Sequence, residues 1–97
     1  MAQYELASAS APADTSGEAL YELGIMHASG RSGVADLVTA HKWFNLAAMK
    51  GHAEAARMRR EIAAEMTDAE IGQAQRAARD WLKSQPAPVA PQFRVAA

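Results

Sequence analysis

The chain has no cysteine, so disulfide staples and thiolate metal sites are excluded. It has almost no net charge: Lys and Arg number 10, Asp and Glu 11, for a formal charge of -1. A chain this close to neutral has no general pull toward nucleic acid or an anionic membrane. No run approaches the ~18 apolar residues that a membrane-spanning helix needs. The first residues, Met1 to Ser8, lack a basic segment followed by a long apolar one. The expectation is therefore a cytoplasmic protein rather than a secreted one. Nor does any stretch alternate apolar and polar residues, and alanine dominates throughout, which argues against β structure.

What is present is an α-helical pattern between two tails. Residues 1–16, rich in Ala and Ser with Pro12 and Asp14, show no period and read as a disordered tail. Residues 85–97 carry Pro86, Pro88 and Pro91 and read as a flexible, extended tail; Phe93 and Val95 in it read as part of an unstructured end, the alternative being a short docking peptide. The folded part, residues 17–84, is near the lower limit for an independent core, so a partner or a second copy would help it.

Four helices are expected there. The first spans 18–29, with Ser16 as N-cap, Glu18 in the first turn, and Gly30 ending it. Its apolar stripe is Ala19, Leu20, Leu23, Met26 and His27. The second spans 36–50, with Asp36 as N-cap. Leu37, Ala40, Phe44, Ala47 and Ala48 share a face with Trp43 beside them, and Gly51 suits the left-handed position past its end. The third spans 53–66, with stripe Ala55, Met58, Ile62 and Met66. The fourth spans 68–84, opened by a Thr67-x-x-Glu70 capping box, with stripe Ile71, Ala74, Ala78, Trp81 and Leu82. The methionines at helical spacing read as core, Met49 excepted.

The segment Ala19-x-x-x-Leu23-Gly24-x-x-His27-x-x-Gly30, then Gly33-Val34-x-Asp36, then Ala40-x-x-Trp43-Phe44-x-x-Ala47-Ala48-x-x-Gly51-x-x-x-Ala55 closely resembles the Sel-one-like repeat, a relative of the tetratricopeptide repeat. The resemblance covers one unit, residues 19–55. It implies an antiparallel helix pair followed by the start of the next pair, as in an α-solenoid. Small residues at Gly24, Ala40, Ala47 and Ala48 would let the two helices approach closely, with Trp43 and Phe44 supplying the buried bulk. His27 stands where the family usually has tyrosine, and the loop glycine falls one place late. A second unit would need Leu-Gly where this chain has Arg59-Arg60, so the array is expected to stop there, with the fourth helix as a cap.

Site hypotheses fare less well. His27, His41 and His52 lack the i, i+4 spacing that places two imidazoles on one helix face, so no metal site is expected. His27 is expected at the helix-pair interface and His41 exposed. The carboxylates Glu54, Glu61, Glu65 and Asp68 read as a solvated charge pattern. Gly30-Arg31-Ser32-Gly33 lacks the strand and the lysine of a phosphate-binding loop. No cofactor and no catalytic residue is assigned. Arg57, Arg59 and Arg60, with a second basic strip at Arg76, Arg79 and Lys83, could bind an acidic peptide or a phosphate backbone. The favoured reading, however, is solvated faces with local pairs such as Arg57–Glu61 and Arg76–Asp80.

The resulting expectation is a non-catalytic protein–protein interaction adaptor that binds a partner protein or itself as a homodimer. The alternative is a small nucleic-acid-binding regulator using the basic strips. Leu20, Leu23, Trp43, Phe44, Trp81 and Leu82 are expected to be structural. Tyr21, His41, Asn45, Arg57 and Arg60 are the candidate partner contacts.

Overall fold

The computed structural model describes residues 15–31 and 33–86, which hold four helices and no strand. They are α1 (Gly17–Ser29), α2 (Leu37–Met49), α3 (Ala53–Ala63) and α4 (Asp68–Ser84). The expected tails fall largely outside the described residues, Phe93 and Val95 included.

Each start follows from a side chain that accepts a free backbone amide. Ser16 Oγ accepts from Ala19 N–H at 3.2 Å and Asp36 Oδ1 from Thr39 N–H at 3.0 Å. At α4, Thr67 Oγ1 accepts from Glu70 N–H at 3.1 Å, and Glu70 Oε1 accepts from Thr67 N–H at 2.9 Å. The stop between α2 and α3 needs a left-handed residue, and Gly51 supplies it with φ 91°. Its N–H donates to the Ala48 carbonyl, and the next N–H, from His52, reaches back to Ala47.

The expected third helix ran to residue 66, but α3 ends at Ala63. Glu65 N–H bonds the Ile62 carbonyl and Met66 N–H that of Ala63. These i→i+3 bonds tighten the chain so that Thr67 can turn extended and cap α4. No residue other than glycine has a positive φ among the described residues.

The core is organised around α2, which packs against α1, α3 and α4. Ala40, His41, Trp43, Phe44, Leu46 and Ala47 of this helix are all buried. A single apolar stripe does not describe it: Leu46, fully buried, lies outside the expected face. The reason is visible in its composition, since Lys42 is its only acidic or basic residue apart from His41.

Phe44 is the centre of the α1–α2 contact. Its ring lies against the Gly24 backbone, tilted 45° to Tyr21 at a centroid distance of 5.8 Å. On the other side of α2, Trp43 meets Trp81 of α4 edge to face at 5.6 Å. Such a pair contributes ~0.5–1.5 kcal/mol beyond its buried area. Leu20 and Phe44 are fully buried as expected, and Leu23 and Trp81 pack against the core partly buried. Leu82 departs from expectation. It is 39 % exposed, because it stands at the edge of the α4 stripe in the last turn, past the part of α4 occupied by Ala74 and Ala78.

The Gly24–Phe44 contact yields a direct test. A Cβ on residue 24 would lie 2.5 Å from Cδ1 and Cε1 of Phe44, too close for any real contact. Gly24→Val should therefore destabilise the fold by about 1–3 kcal/mol, through overpacking that separates α1 from α2. Urea unfolding followed by circular dichroism measures this, and an unchanged midpoint would show that the two helices do not depend on this approach.

Candidate interaction surface

The residues proposed from sequence as partner contacts do not form one surface. Tyr21 is half-buried and held between two rings. Besides Phe44, it stacks on His52 with centroids 4.4 Å apart and planes 17° apart. It works inside the fold.

His41 was expected to be exposed and is instead buried, with 3 % of its surface accessible. The correction has the same cause as that for Leu46: α2 is covered on more than one side. Nδ1 of His41 has no hydrogen-bond partner among the described residues. Its pKa lies below the ordinary 6.5, first because burial penalises the charged ring and second because the Arg59 guanidinium is close. The ring is therefore neutral near pH 7, and it is not placed to touch a partner.

Asn45, one turn further along α2, accepts a hydrogen bond from Arg59 Nη1 at 2.6 Å. That bond ties α2 to α3. Arg57 is exposed but engaged. It is gripped by Glu54 and by Glu61, the latter at 2.6 Å from Nη1. The hydrogen bonds it donates to Glu54 are the main reason its pKa is raised above the ordinary value. The expected Arg57–Glu61 pair is thus present, whereas the expected Arg76–Asp80 pair is not formed. Of the five candidate contacts, Arg60 is the one that is exposed with no ion pair among the described residues.

The role of His52 was not anticipated. Its Nδ1 accepts from Ala55 N–H at 3.1 Å and caps α3, so the ring proton sits on Nε2. That nitrogen is 2.9 Å from Glu18 Oε1 at the start of α1. Only the position of His52 after Gly51 hinted at a cap, and nothing local could have named Glu18 as its partner.

The described residues also line surface clefts. One, of about 410 Å³, is lined by Val34, Asp36, Leu37, Val38, Glu65 and Glu70. Asp36 is tied into the α2 cap, and hydrogen bonds from Thr39, its hydroxyl first, hold its pKa below the ordinary 3.8. Glu70 is likewise part of the α4 cap. A second cleft, of about 390 Å³, is lined by Thr15, Lys50, Trp81, Leu82, Gln85 and Pro86. Among the described residues, no group of three or more His, Asp or Glu side chains is placed to hold a metal ion. No described helix is long and apolar enough to cross a membrane.

Large apolar side chains also stand in solvent: Val34 at 83 %, Met49 at 60 % and Leu82 at 39 %. Val34 belongs to the first cleft and Leu82 to the second. No family model matches the chain, and comparison with curated proteins and with solved structures gives no match either.

Two expectations concern the histidines. Below its ordinary pKa of 6.5, His41 takes up a proton more readily in the unfolded chain than in the fold. Stability should therefore fall as pH drops from that value toward the lower native one, and be regained as pH rises. Urea midpoints at about pH 7.5 and about pH 5.5 should differ less in His41→Leu than in the wild type; equal differences would contradict the burial of His41. For His52, Asn can keep the cap but not the stack or the Glu18 bond. Unfolding midpoints should rank wild type above His52→Asn above His52→Ala, the last step costing ~1 kcal/mol. A His52→Ala variant as stable as the wild type would dispose of the cap.

Proposed function

We propose that this chain is a non-catalytic protein–protein interaction module, an adaptor or scaffold that binds a partner protein or a second copy of itself in the cytoplasm. The observation that carries the reading is the solvent exposure of Val34, Met49 and Leu82 on so small a helical fold. Covering such side chains is favourable by roughly 25 cal/mol for each Å² of apolar surface removed from water. A complex would also stabilise a fold with a small core of its own.

The pattern of residues 19–55 points the same way. Its resemblance to the Sel-one-like repeat suggests a scaffold role, since such repeats serve in complex assembly. The helix pair α1–α2, with α3 set against α2, is compatible with one solenoid unit and the start of another. Solenoid units of this kind leave a face that a neighbour normally covers.

The nucleic-acid alternative loses part of its basis in the geometry. Arg57 and Arg59 are engaged within the fold, which breaks up the Arg57/Arg59/Arg60 cluster.

The test is affinity capture on the full chain, with Val34→Glu/Met49→Glu and Arg60→Glu variants in parallel, followed by reconstitution with the purified partner. A partner retained by the wild type and by Arg60→Glu and lost from the double variant is the expected result. Equal retention by all three proteins argues against the apolar contact. Binding to an oligonucleotide that weakens steeply with salt points to the nucleic-acid regulator instead.

A further inference from the structure

We propose that the outward side of α4 docks an acidic segment of a partner protein, held by Arg76, Arg79 and Lys83. This rests on the adaptor reading and adds the partner's chemistry to it.

Residues 72, 76, 79 and 83 follow one another at steps of four, three and four, so they share one side of the helix. The packed side is elsewhere, where Ala74 and Ala78 are buried. Arg76, Arg79 and Lys83 are all exposed. Among the described residues, none of the three makes an ion pair or a side-chain hydrogen bond. Arg57 and Arg59 differ, since the first is gripped by Glu54 and Glu61 and the second bonds Asn45. Asp80 is four residues from Arg76 and three from Lys83 and closes onto neither. Three positive charges thus stand within about two helical turns with no carboxylate engaged.

Gly72 is an independent observation on the same side. A glycine inside a helix costs ~0.5–1 kcal/mol relative to alanine. Here no helix packing calls for it: a Cβ at residue 72 would meet only Arg76 Nη1, at 3.4 Å. The missing side chain lets the Arg76 guanidinium lie close against the α4 backbone at the head of the basic row, in line with Arg79 and Lys83.

The geometry fits a short acidic peptide better than a nucleic acid. Arginine pairs with carboxylates through two parallel hydrogen bonds, and three cations match a segment with two or three acids. Nucleic-acid affinity instead comes from neutralising many phosphates, commonly with aromatic rings to stack the bases of a single strand. This chain carries a net charge of -1, and α4 itself opens with Asp68 and Glu70. Trp81 is turned to Trp43, away from the basic row.

The experiment is fluorescence anisotropy with the full chain and three labelled probes: a peptide of alternating glutamate and serine, its lysine counterpart, and an oligothymidylate. The glutamate peptide should bind, weaken with salt, and lose roughly tenfold in affinity in Arg76→Gln/Arg79→Gln/Lys83→Gln. The lysine peptide should not bind, and Arg60→Gln should leave the glutamate peptide's affinity unchanged. Gly72→Leu puts a side chain against the Arg76 guanidinium and displaces it, while supplying a better helix former, so it should weaken binding while holding or raising the thermal midpoint. That pairing separates loss of a docking surface from loss of fold. Absence of binding to the glutamate peptide, equal affinity in the triple variant, or tighter binding of the oligothymidylate overturns the proposal. If a partner captured through Val34 and Met49 ignores the triple variant, the acidic-segment assignment falls and the adaptor reading stands. If no partner is captured either, both fall.

Discussion

The rest of the fold depends on the approach of the Phe44 ring to the bare backbone of Gly24. No side chain can stand at residue 24 while that ring is in place. The contact fixes how closely α1 lies on α2, and so where Tyr21 meets Phe44 and His52. It also places Phe44 and Leu20 out of water entirely. Because folded interiors are close-packed, a shift at this point is passed on to its neighbours rather than absorbed.

Around that contact, α2 serves as the shared wall of the molecule. One of its sides receives α1 through Phe44, and another receives α4 through the Trp43–Trp81 pair. Asn45 and Arg59 add a polar tie to α3. With so much of α2 enclosed, the ionisable groups open to solvent lie chiefly on α3 and α4. On α3 they largely satisfy one another, as Glu54, Arg57 and Glu61 do. On α4 the cations stay open. Acids three residues before and four after Arg57 bracket it on one face and both engage it, whereas Asp80, at the same spacings from Lys83 and Arg76, engages neither.

Much of this was legible in the sequence, because caps and periodicity are local. Ser16, Asp36 and the Thr67–Glu70 box each fall where the helices begin. Gly30 and Gly51 fall where the chain must turn left-handed. What escaped was set by packing between distant segments. The burial of His41 and Leu46 depends on how many neighbours surround α2, which a one-face stripe does not encode. The early end of α3 reflects competition with the cap of α4. Of the candidate contacts, Tyr21 and Asn45 are engaged by residues from elsewhere in the chain, and His41 is buried. Sequence pattern alone does not distinguish such internal residues from contacts made outward.

His52 gives the fold a particular kind of cooperativity. Its ring caps α3, rests on Tyr21 and meets Glu18, which lies 34 residues earlier in the chain. A helix of 11 residues such as α3 is marginal in isolation. Its cap is held in position by a ring and a carboxylate that both belong to α1. The third helix is therefore templated by the first, and fraying of α1 from its start would loosen α3 along with it.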